Sequence, residues 1–231
     1  THKFERARQR VADFLNARSS HEIIWTRGTT ESINLVAQTW GRRNLQPGDE
    51  LLLSAMEHHA NLVTWQQIAI ETGAQLRIIP LLENGDLDMQ AYQNLLSART
   101  RLVAVVQVSN VLGTVNPVAE IVRLAKQAGA LTLIDGAQAV AHAPVDVQAL
   151  DCDFYAFSGH KVYGPTGIGV LYGRQELLAQ LPPWQFGGEM IEKVSFTETQ
   201  FSLPPLRFEA GTPAIAEALG LSAALDFLCQ Q

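Results

Sequence analysis

Lys161 is the residue whose surroundings most strongly suggest chemistry. It follows the apolar run 154–157, and Gly164, Gly167 and Gly169 come soon after it. The run predicts a buried strand and the glycines predict a sharp turn, because glycine tolerates positive φ. A lysine buried at a strand end favours its neutral amine, since burial disfavours charge. Such an amine is a nucleophile towards carbonyl groups and can form a Schiff base with pyridoxal phosphate (PLP).

Polar side chains follow five predicted strands, and together they match the parts of PLP. In an open α/β sheet, ligands bind beyond the carboxyl ends of the strands, so these side chains should converge on one pocket. The groups are Gly28 with Thr29 and Thr30, His58, Asn110, Asp135 with Gln138, and Ser158 with His160 and Lys161.

Several of these groups have a defined chemistry. Glycine and two threonines at a helix N-terminus favour a phosphate, because free N–H groups and the helix dipole face it. His58 could stack on a heteroaromatic ring, and Asp135 could accept the N–H of a pyridinium. Each group alone also has a plainer interpretation. Thr29 or Thr30 could cap a helix, Asp135 could cap a turn, and His58 and Lys161 could be solvent-exposed side chains.

The composition excludes several classes of function. Of the 231 residues, 47% are hydrophobic and 17% are charged, which is typical of a globular chain with one sizeable core. The formal net charge is −6 and no Lys/Arg stripe occurs, so we expect neither nucleic acid nor a membrane as partner. Cys152 and Cys229 cannot make a disulfide framework, which favours the reducing cytoplasm. The adjacent His58 and His59 lack the spacing of a metal-ligand pair, so no metal is expected.

The alternation of apolar runs predicts a three-layer α/β sandwich with a mostly parallel sheet and helices on both faces. The run 170–172 after Lys161 is expected to be antiparallel, because the turn before it is too short for a helical crossover. The segment 182–205 lacks periodicity and predicts an exposed loop or hairpin that could face a partner. The predicted strands are 23–25, 50–55, 76–81, 102–106, 131–134 and 151–157.

The ends of the chain suggest a piece of a longer protein. No initiator Met is present, and an amphipathic helix begins almost at once. We expect residues 1–213 to form a PLP-binding large domain. Residues 214–231 are expected to form a helix that leads towards a C-terminal small domain outside this sequence.

Four motifs make the chain resemble the cysteine desulfurases and selenocysteine lyases, which are fold-type I, class V aminotransferase-like enzymes of the PLP-dependent transferase class. The resemblance extends from about residue 4 to the end. Motifs at 166–169, 187–191 and 208–213 are similar to the group II branch, the Suf- and Csd-type desulfurases. The four motifs are Arg-Gly-Thr-Thr-Glu at 27–31, Glu-His-His-Ala-Asn at 57–61, Asp-Gly-Ala-Gln at 135–138 and Ser-Gly-His-Lys at 158–161.

The resemblance implies a role for the residues that could do chemistry. Lys161 would hold PLP as a Schiff base and move protons at the substrate Cα. Asp135 would bind the pyridine nitrogen, and His58 would stack on the ring and could act as acid or base. Gln138 and Asn110 would lie near the ring oxygen and the substrate.

The resemblance also implies a phosphate site and a homodimer. The residues that would hold the phosphate are Thr29, Thr30, Ser158 and His160. Thr212 would reach the phosphate site of a second subunit.

The activity implied is removal of sulfur from L-cysteine, which leaves L-alanine and an enzyme persulfide for a sulfur-acceptor protein. In the family, the persulfide-forming cysteine and the arginine that grips the substrate carboxylate lie in a C-terminal domain. This sequence contains neither, and it also lacks the N-terminal segment that closes the site. Cys152 is expected to be a packed thiol, and nothing near Cys229 would activate it, so neither is assigned as the nucleophile.

Three alternatives remain open from the sequence. The protein could be a lyase that prefers L-selenocysteine, or another class V enzyme. The chain as given could be a cofactor-binding or protein-binding module without turnover. A nicotinamide-binding Rossmann domain is the weakest alternative, because no GxGxxG follows the first strand.

Overall fold

A seven-stranded sheet lies at the centre of the computed structural model, which describes residues 2–230. The order across the sheet is first, seventh, sixth, fifth, fourth, second, third, and all strands except the seventh run in the same direction. The mostly parallel sheet is therefore confirmed. The strands are β1 (Ile23–Thr26), β2 (Glu50–Ser54), β3 (Gln75–Ile79), β4 (Thr100–Val106), β5 (Leu131–Asp135), β6 (Phe154–Ser158) and β7 (Gly169–Gly173).

Helices cover both faces of this sheet. One face packs mainly on α1, α6 and α9, and the other on α2 and α4. A π-helical turn at Ala37–Gly41 joins α2 to α3. The helices are α1 (His2–Leu15), α2 (Thr29–Val36), α3 (Arg42–Asn44), α4 (His59–Thr72), α5 (Met89–Leu95), α6 (Val118–Gln127), α7 (Val147–Leu150), α8 (Gln175–Gln180) and α9 (Ile215–Leu228).

Strand β4 shows why the layers form. Its central residues are all buried, and they alternate between the two hydrophobic clusters on either side of the sheet. Leu102 and Ala104 belong to one cluster, whereas Val103 and Val105 belong to the other. A continuous apolar run is what a strand covered on both faces requires, because successive side chains point to opposite faces.

Strand β7 is antiparallel to both of its neighbours, as the short turn after Lys161 predicts. The strand begins at Gly169, which pairs with Thr26 of β1. A Cβ at Gly169 would lie 2.4 Å from the Gly28 Cα, so only glycine allows this approach. The turn before β7 has its own left-handed residue, Gly167, at φ +77°.

Strand β1 lies at the edge of the sheet, and an ion pair closes its free side. Arg8 of α1 donates from Nη1 to the Ile23 carbonyl at 3.0 Å and to Glu209 Oε1 at 2.6 Å. The same Glu209 oxygen accepts the Trp25 N–H at 2.7 Å, and Glu209 Oε2 accepts from Arg8 Nη2 at 2.9 Å. Two side chains thus occupy the hydrogen-bonding positions that a further strand would take.

The segment 182–205 forms an exposed hairpin, as predicted. Strands β8 (Ile191–Val194) and β9 (Thr199–Phe201) pair antiparallel in a separate two-stranded sheet. Helix α9 packs against α1 through buried Ala218, Leu221 and Leu225. Among residues 2–230, no helix has the length and apolar character needed to cross a membrane.

Candidate active site

Five groups of polar side chains lie along one edge of the sheet, as the sequence predicts. Strands β1, β2, β4, β5 and β6 all run in the same direction, so their carboxyl ends meet at this edge. Asp135 is the last residue of β5, and the segments that follow the other four strands contain the threonines, His58, Asn110 and Lys161 in turn. The edge therefore brings together residues separated by more than a hundred positions in sequence.

Asp135 is the last residue of β5, and its side chain is buried, with 3% of the residue exposed. Its Oδ1 accepts the Ala137 N–H at 2.9 Å, and no hydrogen bond to Oδ2 is formed by residues 2–230. Burial raises the pKa of this carboxyl, while the charges of His58 and Lys161 act in the opposite direction. These two side chains therefore lie near Asp135, and the carboxylate has one oxygen available for a cationic donor.

Lys161 differs from the expectation in one respect. Strand β6 ends at Ser158, and Lys161 lies at the end of a short 3₁₀ turn, Gly159–Lys161, where its side chain is exposed. The prediction that Lys161 is buried is wrong, because the chain leaves the sheet three residues before it. An exposed amine at this edge is accessible to an incoming carbonyl group.

His58 is held at the N-terminus of α4. Its Nδ1 accepts the Ala60 N–H at 3.1 Å, which makes His58 the N-cap of the helix. Because Nδ1 is an acceptor, the proton of the neutral ring belongs on Nε2. The side chain is exposed, so the ring presents a face and an N–H donor to this edge of the sheet.

The predicted phosphate residues divide into a buried pair and two exposed residues. The Ser158 Oγ lies 2.8 Å from the Thr29 Oγ1 and accepts the Thr29 N–H at 2.8 Å. This contact fixes the first residue of α2 against the end of β6. Thr30 and His160 are exposed beside it, so the helix N-terminus can meet an anion through Thr30.

The remaining predicted residues differ in their exposure. Gln138 is half-buried just after β5, and Asn110 is exposed in the turn after β4. Thr212 is exposed and lines a cleft of about 590 Å³ together with Arg27 and Gly167. Among residues 2–230, the lining of this cleft does not include Asp135, His58 or Lys161.

Sequence reasoning missed two features of the site. The Glu57 carboxylate accepts hydrogen bonds from three different elements, although its only signal in the sequence is its place beside His58. Tyr155 donates its hydroxyl to Gln107 Oε1 at 2.6 Å, and its ring occupies the space where a Cβ on Gly136 would lie. The glycine after Asp135 is therefore required by Tyr155, a contact that the motif alone does not reveal.

Cys152 behaves as expected from the sequence, whereas Cys229 differs in one respect. The Arg10 guanidinium lies within hydrogen-bonding reach of the Cys229 thiol, although no activating group was expected near it. Cys152 is buried, and burial raises the pKa of its thiol to about 12, so it does not form a thiolate near neutral pH. Cys229 is exposed at the end of α9. Residues 2–230 contain no cluster of three or more His, Cys, Asp or Glu side chains that could hold a metal ion.

The side chains at this edge fit PLP. Asp135 is a buried carboxylate with an oxygen to spare, and a pyridinium N–H would compensate the burial that raises its pKa. Thr30 at a helix N-terminus suits a phosphate, and the flat His58 ring suits the face of an aromatic ring. Lys161 supplies an accessible amine within the electrostatic reach of Asp135.

Comparison with known proteins settles the family. The family model described as "Aminotransferase class-V" matches residues 1–231. This chain belongs to the aminotransferase class-V family. The class-V chain is 59% identical over 229 residues to a cysteine desulfurase of Dickeya dadantii, a match that covers 99% of the chain and 56% of that relative. Family membership rules out the nicotinamide-binding alternative.

Solved structures agree with the class-V assignment. The cysteine desulfurase CsdA from Escherichia coli superimposes with a TM-score of 0.96 at 50% identity, over 100% of this chain and 58% of CsdA. A lysine-to-alanine variant of C-DES, with glycine covalently linked to its PLP cofactor, gives 0.88 at 31% identity, over 100% and 61%. The class-V chain thus has the PLP-dependent transferase fold and spans little more than half the length of these relatives.

Proposed function

We propose that the whole protein is a PLP-dependent cysteine desulfurase that converts L-cysteine to L-alanine and an enzyme persulfide. The observation that carries the proposal is the meeting of Lys161, Asp135 and His58 at one edge of the sheet. These residues lie in a chain that is 59% identical to a cysteine desulfurase. The cofactor, when bound, supplies a ring that accepts electrons from the substrate Cα.

Lys161 would have two tasks in this reaction. Its amine would hold the cofactor covalently before substrate arrives, and the released amine would then take and return a proton at the substrate Cα. Its exposure supports the first task, because the amine must be reached by a carbonyl group from outside. Its position near Asp135 supports the second, because the released amine then stays at the edge where the cofactor ring would be bound.

Asp135 and His58 would orient the ring. The Oδ2 oxygen of Asp135 would accept the ring N–H, and burial keeps water away from that contact. His58 would cover one face of the ring and donate or accept a proton through Nε2, because Nδ1 is already bonded to Ala60. Gln138 and Asn110 would lie near the ring oxygen and the substrate.

The phosphate would bind at the N-terminus of α2. Thr30 and His160 are exposed there, while Thr29 and Ser158 bond to each other and set the position of the helix end. The helix dipole and the first-turn N–H groups favour an anion. We therefore propose direct contact by Thr30 and His160, with Thr29 and Ser158 shaping the site.

The sulfur would be transferred to an enzyme cysteine that lies outside this chain. The C–S bond of L-cysteine breaks, and its sulfur forms an S–S bond to the enzyme thiol. The proton that the enzyme thiol loses is balanced by the one that alanine gains, so the products are alanine and a persulfide. Cys152 is excluded as that thiol by its burial and raised pKa. A sulfur-acceptor protein would then receive the persulfide sulfur.

The proposal includes the assembly and the compartment. We propose a homodimer in which Thr212 reaches the phosphate site of the other subunit, and its exposure supports this role. Cys152 and Cys229 are both free thiols, which supports a reducing compartment such as the cytoplasm.

The test of the proposal is the release of alanine and sulfide from L-cysteine by the whole protein with PLP and a reductant. Lys161→Ala should lower the turnover about 10³-fold or more, because it removes the group that holds the cofactor and moves the proton. The matched control is Lys3→Ala, which removes an exposed lysine of α1 and should leave the turnover unchanged. Full activity of Lys161→Ala would refute the proposal. Turnover of L-selenocysteine in place of L-cysteine would favour the selenocysteine lyase alternative.

A further inference from the structure

Glu57 is a carboxylate beside the site that the proposed reaction does not use. It follows β2 in the loop that ends at His58. Its Oε1 accepts hydrogen bonds from the Ser54 hydroxyl and, at 2.9 Å, from the Val106 N–H. Its Oε2 accepts from Asn61 Nδ2 at 2.8 Å. One side chain thus joins the end of β2, the end of β4 and the first turn of α4.

The donor on α4 is itself fixed. Asn61 is fully buried, and its Oδ1 accepts the indole N–H of buried Trp65 at 2.9 Å. Its Nδ2 also approaches the Ala104 carbonyl of β4 at 3.2 Å. Because Trp65 determines which end of the Asn61 amide faces Glu57, the amide cannot turn over to suit a different partner. Asn61 therefore presents a fixed N–H donor to residue 57, and this position requires a side chain that accepts a hydrogen bond.

His58 lies between Glu57 and the turn that Glu57 anchors. The His58 carbonyl accepts the N–H groups of Asn61 at 2.9 Å and Leu62 at 3.1 Å. Its ring accepts the Ala60 N–H, which is also in this turn. The backbone and the ring of His58 both depend on the first turn of α4. That turn is tied to the sheet through the carboxylate of Glu57.

We propose that Glu57 is a positioning residue for His58. It holds the loop after β2 and the first turn of α4 against the end of β4, so that the His58 ring faces the edge where Asp135 and Lys161 lie. The inference rests on the proposed function, since His58 matters as the residue that covers the cofactor ring. Glu57 itself touches neither the cofactor nor the substrate in this account.

The electrostatic surroundings agree with a role beside the reacting groups. Burial, and to a smaller extent the charge of Asp135 on β5, raises the pKa of Glu57 to about 7. Hydrogen bonds from Ser54, Asn61 and Val106 act in the opposite direction. The side chains of His58 and Lys161 face Asp135 and act to lower its pKa.

The experiment is a double-mutant cycle in the whole, PLP-loaded protein. Glu57→Gln keeps the volume but has one acceptor oxygen instead of two, so its amide donor must face either the Asn61 donor or the Val106 N–H. The loop should therefore shift without a cavity. The cycle combines this change with His58→Asn, and Glu120→Gln on the exposed face of α6 is the matched control. The readouts are the pH titration of the visible cofactor absorbance, cysteine turnover and the thermal unfolding midpoint.

Positioning through His58 predicts a change in the absorbance titration and a loss of turnover of about 10- to 100-fold in Glu57→Gln, as expected for a misplaced catalytic group. In the His58→Asn background, the same substitution should change the titration little and the turnover by less than about 2-fold. Glu120→Gln should match the wild type throughout.

Two results would overturn the inference. One is an equal effect of Glu57→Gln in both backgrounds, and the other is a change confined to the unfolding midpoint. If the wild-type protein releases no alanine from cysteine, the proposed desulfurase function fails. The absorbance titration would then still decide the role of Glu57.

Discussion

Two acidic side chains near His58 differ in how their oxygens are hydrogen-bonded. Asp135 is buried, and residues 2–230 donate to one of its two oxygens, which suits a carboxylate that binds a cationic ring through the other. Glu57 is bonded at both oxygens by three protein donors, which suits a structural anchor. Burial raises the pKa of both, so their protonation depends on pH in the cofactor-free protein.

The raised pKa of Glu57 makes stability depend on pH in a defined direction. Its ordinary pKa is 4.5, and in the folded chain it is about 7, so the folded state binds the proton more tightly. The stabilisation from this proton is complete below about pH 4.5 and is lost as the pH rises through 7. In this window the free energy of unfolding should fall by up to about 1.4 kcal/mol per pH unit relative to Glu57→Gln.

Urea unfolding of the cofactor-free protein at several pH values between 4.5 and 7 measures this effect. The difference between wild type and Glu57→Gln isolates Glu57, because Asp135, His58 and Lys161 are present in both. A difference that stays constant across the window would contradict the prediction.

At the scale of elements, the edge strand β1 depends on two side chains distant in sequence. Arg8 is 1% exposed and forms a bidentate pair with Glu209, which in turn accepts from the backbone of β1. This arrangement also fixes the segment that leads to Thr212, because Glu209 lies three residues before it. Glu209 therefore holds both the edge strand β1 and the segment that contains Thr212, the residue of the proposed dimer contact.

Removing one member of this pair should be costly. Glu209→Ala removes the bidentate partner of buried Arg8 and the acceptor of the Trp25 N–H, while Arg8 keeps Glu5 and the Ile23 carbonyl. We therefore expect a loss of about 3 kcal/mol in the free energy of unfolding. The control is Asp226→Ala, which breaks the more exposed pair with Arg10 and should cost less than about 1 kcal/mol. Denaturant unfolding of both variants measures the difference. Equal losses would show that the Arg8–Glu209 pair contributes no more than a surface pair.

The sequence was sufficient to predict the elements that rest on local patterns. The apolar runs indicate the parallel strands, and the short turn after Lys161 indicates the antiparallel β7, because these depend on neighbouring residues. The anchors made by Glu57 and by Arg8 with Glu209 could not be predicted. They join residues up to 201 positions apart, and nothing in the local sequence distinguishes them from surface charges.

The candidate site shows the same division. The convergence of His58, Asp135 and Lys161 follows from strand direction alone, so it could be predicted once the strands were recognised. The exposure of Lys161 could not, because it depends on where β6 ends and the 3₁₀ turn begins. Likewise, the bond between Thr29 and Ser158 depends on the approach of two loops that are 129 residues apart.

At the scale of the whole molecule, the proposed homodimer can be tested by complementation. In a whole-protein heterodimer of a Lys161→Ala subunit and a Thr212→Ala subunit, a contact between subunits places both substitutions in one site. The other site is then intact, and about half of the wild-type turnover per dimer should return. If Thr212 acts within its own subunit, each site carries one substitution.

Co-expression with two different affinity tags allows the heterodimer to be purified and assayed beside the two parent homodimers. The comparison is decisive where Thr212→Ala by itself lowers the turnover of its homodimer. Turnover of the heterodimer no higher than the mean of the two homodimers would contradict a contact between subunits.

The most direct test of the account is to identify the lysine that carries the cofactor. The whole protein is loaded with PLP, reduced with borohydride to fix the Schiff base, and digested for peptide mass mapping. The account predicts a pyridoxyl adduct on Lys161 and none on Lys3, Lys126 or Lys193, because Lys161 is the one lysine of residues 2–230 that lies at the edge with Asp135 and His58. Stoichiometric cofactor on another lysine, or cofactor that is bound but not linked to Lys161, would contradict it.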